Sequence, residues 1–159
     1  MAEAYQAYRQ NYPDNHNING QVFEYLVCEV LAREGITPFY RQAKFERVPN
    51  AIYDVVCYDP ARPVVLTMKA SLRERYKQAD LEGLVLRQVY RRAENHLITL
   101  PADEARRVQA KINASEVGGL DSCRVASAAE FTDLINKLKR RTFHTAEAVM
   151  PLTGRIFPA

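Results

Sequence analysis

Two short runs near the middle of the chain, Ala51–Tyr58 (Ala-Ile-Tyr-Asp-Val-Val-Cys-Tyr) and Pro63–Lys69 (Pro-Val-Val-Leu-Thr-Met-Lys), are apolar at odd and even positions alike. A strand built from such a run has no face to offer to water, so it belongs inside a sheet that is covered on both sides. The turn-prone pairs Pro49-Asn50 and Asp59-Pro60 bound the two runs, and Thr37–Ala43 supplies a strand before them. The covering layers must come from the helical segments around them.

Those segments are present. From Gln21 to Glu34, Phe23, Leu26, Val27, Val30 and Leu31 recur at helical spacing until Gly35 ends the pattern. A longer stretch from Leu72 to Glu94 predicts a second helix with Leu81, Leu84, Val85 and Val89 turned inward and Gly83 as its weak point. Further on, His96–Leu100 reads as a strand, Asp103–Ala114 as a helix, Cys123–Ser127 as a short strand and Ala129–Arg141 as a helix ending in the basic run Lys137 to Arg141. Residues 1–12 suit a short helix, and 13–20 suit a loop with Asn19 as a helix cap. The tail after residue 141 carries no pattern. The order helix, three strands, helix, strand predicts an α/β fold, a central mixed sheet flanked by helices. With 159 residues the chain suits one domain, its core over about residues 20–127 and a C-terminal helix and tail over 128–159.

Cys28, Cys57 and Cys123 stand in apolar surroundings without a CxxC pair, which predicts reduced, packed thiols. His16, His96 and His144 lack the close spacing of zinc sites, so carboxylates must carry any metal chemistry. No run approaches the length and apolarity of a membrane span, which predicts a cytoplasmic protein with no membrane partner. The net charge of +3 conceals a local basic excess: residues 69–92 hold seven Lys or Arg against three Asp or Glu. That excess suits an anionic partner, and a solvated helix face explains it as well.

Two charges fall where they should not. Asp54 interrupts the first apolar run and Lys69 ends the second; each needs a partner, and adjacent strands bring them together. A plain ion pair accounts for both residues as readily as a catalytic role does. Glu24 adds a third unexpected charge, bordering the apolar stripe of the first long helix. By itself it also reads as a flanking residue whose stem packs while its head reaches water.

Glu24 on a helix, Asp54 in a strand and Lys69 at the end of the next strand resemble the PD-(D/E)XK nuclease superfamily, whose core is helix, three strands, helix and strand. The resemblance covers roughly residues 20–100. One position departs from it, because Thr67 stands where an acid is expected two residues before the lysine. A subgroup of type II restriction endonucleases, EcoRII-like and NgoMIV-like, also has a small residue there and supplies its glutamate from the following helix. The run from Lys69 to Glu82, Lys-Ala-Ser-Leu-Arg-Glu-Arg-Tyr-Lys-Gln-Ala-Asp-Leu-Glu, is similar to theirs, with Glu82 at the relocated position. Arg75, Gln78 and Glu82 share one helix face. Glu74 is the competing ligand, better suited to a surface salt bridge between Arg73 and Arg75.

The resemblance implies a restriction-endonuclease-like αβββαβ core and a Mg²⁺-dependent DNA endonuclease, Mn²⁺ substituting, in which Asp54, Glu82 and Glu24 serve the metal. Lys69 would orient the attacking water, with Thr67, Arg75 and Gln78 in support. It also implies double-stranded DNA as partner and a homodimer or higher homo-oligomer. Candidates for DNA contact are Arg73, Lys77, Arg87, Arg91, Arg92 and residues 137–141, and near the first hairpin Arg41, Gln42, Lys44 and Arg47. Within nucleases, a restriction enzyme leads over a junction-resolving, repair or homing nuclease. A catalytically silent nucleic-acid-binding module on the same fold is the first alternative, and a regulatory domain with a structural ion network is the second.

Overall fold

The computed structural model of the protein describes residues 2–12, 16–48, 50–146 and 152–157. The elements are α1 (Ala2–Asn11), α2 (His16–Arg33), β1 (Phe39–Phe45), β2 (Tyr53–Cys57), β3 (Val64–Lys69), α3 (Arg75–Val89), β4 (Glu94–Thr99), α4 (Ala102–Asn113), β5 (Ser122–Val125), α5 (Ala129–Leu138) and β6 (Leu152–Phe157). The strands form one mixed sheet in the order β5-β4-β3-β2-β1-β6. Strands β1, β2 and β3 run antiparallel to one another, β4 and β5 continue parallel to β3, and β6 lies antiparallel to β1.

The two doubly apolar runs are the central strands. Every residue of β2 is buried, as is β3 up to Met68. On one face, Val55, Cys57, Val64, Leu66 and Met68 pack with Tyr5 of α1, the Phe23, Val27, Cys28 and Leu31 stripe of α2, and Phe131 to Leu138 of α5. The other face is covered by α3, through Leu86 over Val56 and Val65, and by α4, whose Ala105 and Val108 pack with Ala79 and Leu97. All three cysteines are buried and free. Gly35, at a φ of +71°, ends α2 as its sequence position predicts. No helix among the described residues is long and apolar enough to cross a membrane.

Four local expectations are corrected. The loop assigned to 13–20 shrinks, because α2 begins at His16; Asn19 therefore lies inside the helix and is not its cap, while residues 13–15 lie outside the described residues. Helix α3 is shorter than 72–94, and it turns a different face inward. Its buried residues are Ala79, Gly83 and Leu86, while Leu81 is 61% and Leu84 42% exposed and Val89 is exposed too. The reason is close approach: a Cβ on Gly83 would overlap the carbonyl oxygen of Gly119, so small residues form the contact and the large ones turn outward. The unpatterned tail contains β6, which completes the sheet beside β1. Lastly, the helix assigned to 129–141 ends at Leu138.

Candidate active site

The antiparallel register of β2 and β3 sets Val55 opposite Leu66 and Cys57 opposite Val64, so the start of β2 lies beside the end of β3. Asp54 and Lys69 meet there. Lys69 Nζ stands 3.1 Å from Asp54 Oδ2, and the same oxygen accepts the Met68 N–H at 2.7 Å. Asp54 is 7% exposed, so these donors replace the water it lost.

Strand β1 delivers a third group. Gln42 has a φ of 47°, at the point where the pairing with β6 shifts between Arg41 and Lys44. Its Nε2 donates to Glu24 Oε2 at 2.9 Å and to Asp54 Oδ1 at 3.3 Å, so one amide bridges α2, β1 and β2. Beside it Arg41 is buried, its guanidinium 3.9 Å above the Tyr25 ring and Nη2 3.9 Å from Glu24 Oε2.

Helix α3 brings the last carboxylate. Glu82 Oε1 accepts from Gln78 Nε2 at 2.8 Å, as the shared helix face predicts. The Tyr53 hydroxyl donates to the Glu82 backbone carbonyl at 3.0 Å, which ties that turn of α3 to the residue next to Asp54. The turn leading into α3 is held from α4, where Glu104 Oε2 accepts the Leu72 N–H at 2.5 Å and the Arg73 N–H at 3.4 Å.

Charge couples these groups. Burial, and then the charge of Asp54, pushes Glu24 above the usual carboxylate range, against the opposing pull of Gln42, Lys69 and Arg41. Glu82 is likewise raised by burial, with Gln78 and Lys69 pulling it down and Asp54 pushing it up. Both glutamates thus feel the Asp54–Lys69 pair, Glu24 from α2, which covers one face of the sheet, and Glu82 from α3, which covers the other. Asp54, Glu24 and Glu82 together carry more negative charge than Lys69 and the more distant Arg41 offset, an excess that a hard cation would balance. Among the described residues no three His, Cys, Asp or Glu side chains converge closely enough to hold one ion. An ion here would therefore take two carboxylates and fill its remaining positions with water or phosphate oxygens, as Mg²⁺ usually does.

A cavity of about 470 Å³ opens beside Lys69. Ser71, Arg73 and Arg75 line it from the segment between β3 and α3, Arg9 lines it from α1, and Asn19 and Glu24 line it from α2.

The other sequence candidates are dispersed. Thr67 is buried and donates to Asn95 Oδ1 at 3.5 Å; Asn95 in turn donates to the carbonyls of Ala79 and Gly119, so Thr67 belongs to the seam that seats α3. Glu74 pairs with Lys77 at the surface, the role expected of it, and this engages Lys77. Arg41, proposed for base readout, is buried against Tyr25 and Glu24. Lys44 and Arg47 are exposed. Arg87 is held by Asp121 at 2.6 Å and by the Gly118 carbonyl. Arg91 and Arg92 are exposed near the start of β4, the opposite end of the sheet from Lys69. In the basic run, Lys137 and Arg141 grip Glu94 and Lys139 grips Glu34, so these three are occupied by protein carboxylates. The bridging role of Gln42 and the cavity positions of Arg9 and Asn19 were missed, since no periodicity marks a polar residue at a bulge or inside a helix.

Comparison of the chain with protein-family models, with curated proteins and with solved structures found no match.

Proposed function

We propose that the protein is a metal-dependent DNA endonuclease of the type II restriction endonuclease kind. One observation carries this reading: Lys69 pairs with the buried Asp54 carboxylate at 3.1 Å, and Gln42 links that carboxylate to Glu24, at the edge of a cavity lined by Arg9, Arg73 and Arg75. A buried acid on a central strand, with glutamates on the flanking helices, beside one lysine and a basic cavity suits the hydrolysis of a phosphodiester.

Asp54 and Glu82 would hold Mg²⁺, with Mn²⁺ as a substitute. When bound, the ion neutralises charge on the phosphate and acidifies water. Lys69, oriented by Asp54, donates hydrogen bonds to the developing negative charge. Gln78 fixes the rotamer of Glu82, and Gln42 fixes Glu24 and Asp54 relative to one another. Arg73 and Arg75 hold the phosphates of double-stranded DNA beside the reacting group. Cutting both strands takes two such centres, so a homodimer or higher homo-oligomer follows from this reading.

Purified protein is incubated with plasmid and genomic DNA in Mg²⁺, beside Asp54→Ala, Lys69→Ala and Glu82→Ala. Cleavage by the parent and its loss in all three folded variants is the expected result, and full activity in Glu82→Ala would end that assignment. Discrete fragments signify a restriction enzyme, and a smear signifies another nuclease. A catalytically silent nucleic-acid-binding module is the second reading. It is favoured by the donors already on Asp54 Oδ2, Met68 N and Lys69 Nζ, and binding without cleavage identifies it.

A further inference from the structure

At the end of the sheet away from Lys69, an open cavity of about 550 Å³ is lined by Arg62, Arg87, Arg91 and Arg92, together with Glu94 and Asp121. The β3–β4 register sets it apart from the candidate active site. Glu94 stands opposite Val64 and Thr99 opposite Lys69, so the length of β4, about 17 Å, separates the two places. The four guanidiniums come from the β2–β3 loop, from α3 and from the turn between α3 and β4. Two of them are held in place. Arg87 donates to Asp121 Oδ2 at 2.6 Å and to the Gly118 carbonyl, and Arg62 Nε lies 2.9 Å from Glu94 Oε1. The other two, Arg91 and Arg92, are exposed, and neither side chain has an ion pair or a hydrogen bond among the described residues.

The two carboxylates do not balance this charge. Glu94 is also taken by Lys137 and Arg141, and Asp121 Oδ2 also accepts the Asn95 N–H at 2.7 Å. Arginines on a solvated surface lower their mutual repulsion by standing apart, whereas these converge on one space with two of them fixed by the fold. A guanidinium fork takes phosphate oxygens in pairs, and one phosphoryl group, with three acceptor oxygens, is too small for four forks. The donor set therefore calls for two or more phosphoryl groups linked together. The volume suits a small ligand, and the carboxylates of Glu94 and Asp121 in the wall oppose a long polyanion laid across it. We propose that this cavity binds a free oligophosphate, its chain seated against Arg62 and Arg87 and closed over by Arg91 and Arg92. The site shares no residue with the candidate active site, so it does not depend on the nuclease reading, and it gives Arg87, Arg91 and Arg92 an anion other than DNA.

The test is isothermal titration calorimetry of the full chain in EDTA, with inorganic tripolyphosphate as the probe and inorganic phosphate as the comparison. The parent is expected to bind tripolyphosphate about tenfold more tightly than phosphate, and the double variant Arg91→Gln, Arg92→Gln to lose about tenfold in tripolyphosphate affinity. Both arginines are exposed and unpaired, so this variant should melt in urea with the parent. The double variant Arg73→Gln, Arg75→Gln, at the cavity beside Lys69, should bind tripolyphosphate as the parent does, and a short DNA duplex should not displace it. A parent without preference for tripolyphosphate over phosphate, or an Arg91→Gln, Arg92→Gln protein with parental affinity, overturns the proposal. So does loss of binding in Arg73→Gln, Arg75→Gln, which would seat the chain beside Lys69, or displacement by the duplex, which would make the arginines a DNA contact. Should the Arg91, Arg92 variant fail to fold, Arg91→Lys and Arg92→Lys decide, since each keeps the charge and loses the planar fork. Each should weaken tripolyphosphate more than phosphate, and an unchanged ratio is the contrary result. The titration contains no Mg²⁺ and reads no cleavage, so its failure leaves the nuclease reading where it stood, and an inactive nuclease leaves this site standing.

Discussion

Lys69 and Asp54 lie 3.1 Å apart across the β2–β3 pairing, the lysine partly open to solvent and the aspartate buried. The asymmetry decides what each contributes. Asp54 keeps the Met68 N–H and the Gln42 amide if Lys69 is removed, but it loses its cation. Lys69→Met should therefore cost about 2 kcal/mol, less than a fully buried pair because solvent screens the lysine. The double variant Asp54→Asn, Lys69→Met should recover most of that loss, since the amide carbonyl introduced at position 54 still accepts the Met68 N–H and no buried charge is left unpaired. Urea melts check the first claim against the second, and both variants should be inactive on DNA. A double variant less stable than the single one would contradict this account.

Magnesium should raise the melting temperature of the parent. If Asp54 and Glu82 hold the ion, a concentration a hundred times the dissociation constant stabilises by about 2.7 kcal/mol. Glu82→Gln and Asp54→Asn should each remove most of the shift, whereas Glu74→Gln, at a residue paired with Lys77 on the surface, should keep it. Differential scanning calorimetry with and without Mg²⁺ reads all four proteins. A shift retained in Glu82→Gln and lost in Glu74→Gln would move the ligand to residue 74.

Strands β2 and β3 were legible because an apolar run without alternation has only one stable place, the middle of a covered sheet, and Asp54 and Lys69 stood out against it. The inward face of α3 was not. Periodicity weighs side chains by size, and it chose Leu81 and Leu84; the helix packs through Ala79 and Gly83 because the Gly119 backbone lies against it, a fact held by a segment far along the chain. Strand β6 escaped for a similar reason, since Leu-Thr-Gly-Arg-Ile-Phe becomes a strand only through its pairing with β1. At the candidate site the charged residues in apolar settings could be read directly. The Gln42 bridge arises from a backbone irregularity in β1, and the burial of Arg41 from the Tyr25 ring on another element, and neither leaves a trace in local sequence.

Gly83→Ala tests the seam that sets the depth of Glu82. Elsewhere in a helix this change would stabilise by about 1 kcal/mol. Here the added methyl meets the Gly119 carbonyl and the Asn95 amide, both fixed by hydrogen bonds, so the helix must lift. A net loss of about 2 kcal/mol is expected, the cost of overpacking less the gain in propensity. Cleavage should fall as well, since Glu82 moves with α3. A variant as stable as the parent in urea would show that α3 sits farther from residue 119 than described.

The pH dependence of stability should have two opposed parts. Glu94 is buried, and His96, whose Nε2 lies 3.4 Å away, together with Lys137 holds its carboxyl well below the usual range; Arg62 and Arg141 add further ion pairs. A carboxyl lowered by folding contributes stability that is present above its unfolded pKa and is lost as pH falls through the usual carboxylate range towards the folded value. Glu94→Gln should thus cost about 3 kcal/mol at pH 7 and progressively less below about pH 4. Glu24 and Glu82 work in the other direction. Burial raises both, so the folded protein takes up their protons more readily than the unfolded chain, and each carboxylate opposes folding at neutral pH. Glu24→Gln and Glu82→Gln should accordingly be more stable than the parent at pH 7, and the gain should vanish on acidification through the raised pKa values to below about pH 4. Melting curves of the three variants between pH 3 and pH 8 separate the effects. A Glu82→Gln protein less stable than the parent at neutral pH, in the absence of metal, would mean that its carboxylate is a structural anchor and not a ligand held in readiness for a cation.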